Sequence, residues 1–290
     1  MLALCSGGRD NVASLSNLYR TAFVTGASTG LGRAFTEMLL IDGVQVWGTA
    51  RDSTRLADLT ARAGFKAVEL DLENPEEADA AFATAAAEAG GSFDLVINNA
   101  GYGVFASFIG VDYAVWQTQL NALLITTGRL TQSALRGMIV KKRGCIVNVA
   151  SLATDFPLPF MIGYNVAKAG LSALTESLVF ETRGTGVTLI DFRPGDFRTG
   201  FNTTMQAKAA SGESSTDTRL VRVWAGLEKN LNSAPPPTRA AAGLRKVLLQ
   251  RRQGTVRCGS FFQAHLAPFL VRFAPAGLRR AVMAHYFGAD

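Results

Sequence analysis

Short apolar runs alternate with amphipathic stretches over most of this chain. Residues 21–25 (Thr-Ala-Phe-Val-Thr) are apolar and β-branched and read as a buried strand. A helical pattern covers 33–41, and a second strand covers 44–49. A helix is expected over 54–63 and a third strand over 66–70. Pro75-Glu76-Glu77 opens another helix with proline and acids in its first turn, and Gly90-Gly91 stops it. Strands at 93–97, 144–149 and 187–192 alternate with helices at 112–140 and 163–182. Pro235-Pro236-Pro237 is a rigid break, after which one more helix and a short strand at 255–258 complete the series. Most strands are apolar on both faces. The pattern is that of an α/β fold with a doubly wound parallel sheet in one domain.

In such a sheet, ligands bind beyond the carboxyl ends of the strands. The unusual residues stand there: Gly26, Asp71, Asn98, Ser151 and Pro194 each follow a strand. The turn Gly26-Ala27-Ser28-Thr29-Gly30-Leu31-Gly32 joins the first strand to the first helix, where backbone approaches a pyrophosphate at a helix N-terminus. An NAD-selective site needs an acid after the second strand to hold the ribose 2′-hydroxyl. Here Ala50-Arg51 occupies that place, and a guanidinium suits a 2′-phosphate, so NADP(H) is expected over NAD(H). Asp71 is read either as an acceptor for the adenine amino group or as a cap.

The motif Tyr164-Asn165-Val166-Ala167-Lys168 puts a phenol and an ammonium one helical turn apart on one face. A lysine cation there is expected to lower the tyrosine pKa and make a proton donor usable near neutral pH. Ser151 lies thirteen residues upstream.

These motifs in this order resemble the short-chain dehydrogenase/reductase family, in its single-domain branch with a Rossmann sheet. The resemblance covers residues 21–200 and also rests on Asn98-Asn99-Ala100-Gly101, Asn121, and Pro194-Gly195 with Thr199. It implies that Asn121, Ser151, Tyr164 and Lys168 form a catalytic tetrad. It implies a cofactor surface of Gly26, Ser28, Thr29, Gly30, Leu31, Gly32, Arg51, Asp71, Leu72, Asn98, Ala100, Gly101, Pro194, Gly195 and Thr199, with Tyr164 and Lys168 at its reactive end. Asn98 would steady the sheet centre, and Asn121 would position a water linked to Lys168. The implied reaction is hydride transfer between a nicotinamide and a ketone or secondary alcohol, in a homodimer or homotetramer formed through the long helices. Two other readings of the same fold are an epimerase or dehydratase with a tightly held nicotinamide, and a non-catalytic NADP(H) sensor or scaffold. The resemblance also marks Asp196 as unusual, since an apolar residue commonly follows Pro-Gly.

Composition narrows the picture. The chain has 290 residues, 48% hydrophobic and 18% charged, enough for one large core. Three cysteines without ligand spacing, and two histidines confined to the tail, argue against a zinc site and a histidine base. No metal is expected, and Cys145 reads as core. The thiols, and a first twenty residues with only the short apolar stretch Met1–Cys5 and no basic n-region, make the cytoplasm the expected location. The expected organisation is an N-terminal extension over 1–20, a catalytic domain over 21–258 and a basic amphipathic segment over 259–290.

The substrate is expected to be a lipophilic carbonyl or alcohol, because Phe105, Phe108, Phe156, Pro157, Leu158, Phe160, Met161 and Trp224 flank the site in sequence. A polar stretch over 211–218 reads as a mobile lid. The net charge of +6 lies entirely in the tail, where residues 239–290 hold nine Lys or Arg and one acid. That tail is either a cover packed on the substrate mouth or a second subunit, the favoured reading, or an amphipathic helix on an anionic membrane. No recognition motif supports nucleic-acid binding.

Overall fold

The computed structural model describes residues 14–201, 205 and 218–287. Among them, seven strands form one parallel sheet in the order β3-β2-β1-β4-β5-β6-β7. The strands are β1 (Thr21–Val24), β2 (Gln45–Ala50), β3 (Phe65–Glu69), β4 (Leu95–Asn98), β5 (Gly144–Val149), β6 (Val187–Pro194) and β7 (Gly254–Cys258). The order reverses between β1 and β4. The two loops leaving these strands diverge there and open a crevice at the sheet's carboxyl edge.

Two apolar layers sandwich the sheet. On one face, helices α1 (Gly30–Ile41) and α8 (Pro237–Leu249) bury Phe35, Leu39, Leu244 and Leu248 against Val24, Ile97 and Phe192. On the other, α3 (Pro75–Glu88), α5 (Thr127–Lys141) and α6 (Ile162–Glu181) bury Phe82, Leu130, Leu135 and Met138 against Phe23, Val96 and Ile146. Cys145 lies in the first core, and burial pushes its thiol up to about 12. Both faces of each central strand are therefore covered, which is why these strands read as continuous apolar runs.

The structure departs from the predicted elements in two places. The helix expected over 54–63 is a 3-10 turn, Ser53–Leu56, followed by one turn of α2 (Ala57–Thr60). Asp52 caps it, accepting from Thr54 N at 2.9 Å. The long helix over 112–140 is α4 (Tyr113–Leu120) running into α5 through a π-helical turn, Asn121–Thr126. That wide turn sits beside the crevice, a place where π-bulges recur in proteins.

A smaller apolar cluster forms outside the sheet. Phe105, Met161, Met205 and Phe287 bury themselves with Val223 and Leu227 of α7 (Thr218–Asn232). Phe287 arrives from α10 (Ala276–Phe287), which follows α9 (Ala267–Phe273) after β7. The tail thus packs Phe287 and Met283 over the crevice. Of the expected lid over 211–218, all but Thr218 lies outside the described residues, as do residues 1–13 of the expected extension.

Candidate active site

The glycine turn is fastened to the loop after β4 by hydrogen bonds. Thr25 Oγ1 accepts from the backbone N–H of Asn99 and of Ala100, each at 2.9 Å, and Asn99 Nδ2 donates to Thr25 O at 3.0 Å. Gly26 turns with φ +71°, a conformation that excludes most side chains. At Gly32 a Cβ would stand 2.1 Å from Gly26 O. These bonds hold main-chain N–H groups at the start of α1 toward the crevice, the arrangement that binds a pyrophosphate.

A cavity of about 690 Å³ occupies the crevice. Gly26, Ser28, Thr29, Gly30 and Leu31 line one end, with Arg51, Asp71 and Leu72; Ala100, Gly101, Ser151, Tyr164, Lys168, Pro194, Gly195 and Thr199 line the remainder. Three residues of the expected set do not line it. Gly32 lets α1 close on Gly26 rather than facing a ligand. Asn98 is buried, donating to Asn148 Oδ1 at 2.9 Å and Thr131 Oγ1 at 3.0 Å, so it holds the sheet centre and leaves the cavity wall to Asn99. Asn121 opens the π-helical turn and is exposed. The turn instead brings Ala122 and Leu123 to the cavity, and a Cβ on Gly101 would meet Leu123 Cδ2 at 3.1 Å and Lys168 Nζ at 3.6 Å.

Ser151, Tyr164 and Lys168 meet at the cavity's centre. Ser151 follows β5 as the cap of a short turn, and its Oγ accepts from Ala153 N at 3.0 Å. That bond leaves the serine hydrogen to be donated elsewhere, and the hydroxyl bonds the Tyr164 phenol. Tyr164 and Lys168 lie one turn apart on α6, with Lys168 Nζ 5.8 Å from the phenol ring centroid. Nζ donates to Val149 O at 2.7 Å.

The expected acidification of Tyr164 is not what the structure shows. Burial raises the phenol's pKa, the Ser151 hydrogen bond opposes that rise, and the charge of Asp196 adds to it. The cause is equally visible at Lys168, whose own burial lowers it to about 8, partly offset by the charge of Asp191. A sequence shows which groups are neighbours, but burial decides which form they favour.

Four functional positions escaped the sequence reading. Arg55 lines the same end of the cavity as Arg51, four residues earlier; that spacing was a usable signal. Asn99 is the clamp described above. Asp191 is fully buried in β6, accepting from Ser172 Oγ and from Arg193 Nε, each at 2.7 Å; an acid inside an apolar strand was the signal. Gln263 had none: it arrives from the tail and donates to Asp196 Oδ2 at 2.7 Å. Asp196 lines the cavity, and burial raises its carboxyl's pKa.

The substrate end is apolar. Phe156, Leu158 and Met161 line it as expected, joined by Phe201, Leu227 and Met283. The Phe201 ring lies 5.5 Å from that of Tyr164. Phe105 lies in the cluster beneath, Phe160 and Trp224 pack against that cluster, and Phe108 is exposed. Among the described residues, no group of three or more His, Cys, Asp or Glu side chains is placed to hold a metal ion.

This chain is similar in sequence and fold to known proteins. The family model for short chain dehydrogenases matches residues 20–210. The chain is 33% identical over 209 residues to the 3-oxoacyl-[acyl-carrier-protein] reductase FabG of Vibrio cholerae, covering 71% of this chain and 83% of that protein. It is 30% identical over 205 residues to the uncharacterized oxidoreductase YvrD of Bacillus subtilis, covering 69% and 77%. A short-chain dehydrogenase from Streptomyces avermitilis superposes with a TM-score of 0.75 at 25% identity, over 91% of this chain and 96% of that one. A family member from Burkholderia phymatum, solved in complex with NAD, superposes with a TM-score of 0.74 at 25% identity, over 87% and 92%. Glycine turn, Ser-Tyr-Lys cluster, sheet order and these matches lead to one conclusion: the chain belongs to the short-chain dehydrogenase family and is an oxidoreductase.

Proposed function

We propose that the protein interconverts a ketone and a secondary alcohol on a lipophilic substrate, with NADP(H) as cofactor. The observation that carries this reading is the meeting of Ser151, Tyr164 and Lys168 between a glycine-turn cradle and an apolar wall. The cradle fits a dinucleotide: its backbone is bare where a Cβ would collide, and the residue directly after β2 is Arg51 rather than a carboxylate, with Arg55 beside it on the cavity wall. The main chain of residues 26–31 would hold the pyrophosphate. Arg51 and Arg55 would hold a ribose 2′-phosphate. Asp71, whose Oδ1 accepts from Glu73 N at 3.1 Å, keeps its other oxygen for the adenine side, beside Leu72. Ala100 and Gly101 would lie along the cofactor, and Pro194, Gly195 and Thr199 at its nicotinamide end. When bound, the cofactor supplies or receives the hydride.

The chain's residues handle the substrate oxygen and its proton. Ser151 turns its single hydroxyl hydrogen from the phenol to that oxygen and polarises the carbonyl. Tyr164 gives up its phenolic proton as the alkoxide charge develops. Its raised pKa keeps it protonated at neutral pH, which loads it as an acid for reduction. Lys168, held by Val149 O, places a cation beside the phenolate that forms. Hydrophobic lining from Phe156, Leu158, Met161 and Leu227 favours an apolar substrate body. Exposed Ile125, Val166 and Phe180 on the long helical stretches support assembly as a homodimer or homotetramer. The same reading places the enzyme in the cytoplasm, where thiols such as Cys145 and Cys258 stay reduced.

The test is consumption of NADPH and of NADH against ketones of increasing apolar length. The expected result is turnover with NADPH that rises with chain length. No turnover with either cofactor across the panel would refute the reading.

A further inference from the structure

The tail divides its apolar side chains between two faces. Phe287 and Met283 turn inward to the cluster over the cavity. The opposite side stays in water. Phe262 and Leu266 lie in a π-helical turn, Phe262–Leu266, that leads into α9, where Phe269 and Phe273 stand one turn apart and extend the exposed apolar stripe. They are 53%, 41%, 62% and 70% exposed. The rings of Phe269 and Phe273 touch edge to face, 5.2 Å apart. On α10, Leu278 and Val282 are also more than half exposed. Phe262, Ala267, Leu278 and Val282 all line the cavity, so both exposed stripes meet at its mouth.

Charge distinguishes this face from an ordinary contact surface. Residues 259–287 contain Arg272, Arg279 and Arg280 and no carboxylate. Arg279 and Arg280 are exposed beside Leu278, and Arg279 reaches the cavity wall. A two-fold contact of this face with a second copy would set the same cationic patch against itself, with no acid among residues 259–287 to answer it. A bilayer answers both features. Its headgroup boundary takes the aromatic and aliphatic stripe, and anionic headgroups take the arginines. Among the described residues, no helix is long and apolar enough to cross a membrane, so such attachment is peripheral.

We propose that α9 and α10 seat the protein on an anionic phospholipid surface, with the cavity mouth turned to the bilayer so that an apolar substrate enters from the lipid. Lipid contact stands apart from the redox reading, whereas the entry route rests on it.

The test uses the full chain with sedimented vesicles. Wild type should pellet with vesicles rich in phosphatidylglycerol, stay in solution with pure phosphatidylcholine, and detach as salt rises. Arg279→Gln/Arg280→Gln should weaken binding about fivefold per arginine, the equivalent of about 1 kcal/mol each. Phe269→Ser/Phe273→Ser should weaken it about a hundredfold or more, since each ring buried in lipid contributes on the order of tenfold. Neither phenylalanine lines the cavity, so that variant should keep wild-type turnover on a water-soluble ketone while losing turnover on a ketone dissolved in anionic vesicles. Wild type remaining in solution with anionic vesicles would overturn the proposal, as would both variants binding like wild type. So would a dimer in light scattering that Phe269→Ser/Phe273→Ser splits into monomers, because the face would then belong to a second copy. Vesicle binding without any vesicle-dependent turnover would keep the lipid contact and overturn the entry route.

Discussion

The two ends of the cavity are built by opposite means. At the dinucleotide end the surface is mostly backbone, fixed by Thr25, Asn99 and the packing of Gly32 on Gly26. At the substrate end it is side chains from several elements: Phe156, Met161, Leu227 and the tail's Met283. A backbone surface tolerates almost no substitution, since one added carbon collides. A side-chain surface of this kind can exchange one apolar group for another of similar volume. The first end can therefore keep one ligand while the second is free to change its own.

Gly32→Val gives the largest effect expected at the dinucleotide end. With a Cβ aimed at Gly26 O, the turn must shift, and dinucleotide binding should be lost in a fluorescence titration. Overpacking should also cost about 1–3 kcal/mol of stability. Met161→Leu is the matched change at the other end, and should alter relative rates among ketones while leaving cofactor affinity intact. Equal loss of cofactor affinity in both variants would break the contrast.

Lys168 sharpens it through pH. Its pKa is lowered to about 8 from 10.5, so below pH 8 the folded protein buries a charge that the unfolded chain solvates. Between pH 8 and 10.5 the unfolded chain holds more protons on this residue, and its burial penalty fades as pH rises. Lys168→Met should consequently be stabilised over wild type by roughly 2–3 kcal/mol more at pH 7 than near pH 10.5, in denaturant titrations at each pH. An equal difference at both would contradict a depressed lysine.

The smallest effect concerns cofactor choice. Arg51→Ala/Arg55→Ala should weaken NADPH about tenfold or more and leave NADH nearly unchanged, because charge-assisted hydrogen bonds contribute about 1.5–3 kcal/mol. Parallel loss of both cofactors would assign the arginines to structure instead.

Legibility in the sequence follows the same division. β5 appears at the bounds its apolar run predicts, and α6 lies within one residue of its pattern, because buried strands and amphipathic helices carry their periodicity locally. The glycine turn, Ser151 and the Tyr164–Lys168 pair were legible because their spacing is their geometry. Asn121 stands off the cavity wall at the start of a π-helical turn, which no local pattern announces. The direction of the Tyr164 shift was missed because burial comes from Phe201 and the tail, far along the chain. Gln263 on Asp196 was invisible for the same reason, linking positions 67 residues apart. The tail's preference for packing was half the answer: Phe287 is buried, while Phe269 and Phe273 are not.

In the proposed reaction the Tyr164 phenol, standing between the Ser151 hydroxyl and the Lys168 ammonium, gives its proton to the substrate oxygen. Single-turnover oxidation of bound NADPH by an apolar ketone, in wild type and Tyr164→Phe, tests it most directly. A loss of about two to three orders of magnitude in that step, with unchanged NADPH affinity and unfolding, is the predicted result. A Tyr164→Phe variant that turns over at the wild-type rate would contradict it.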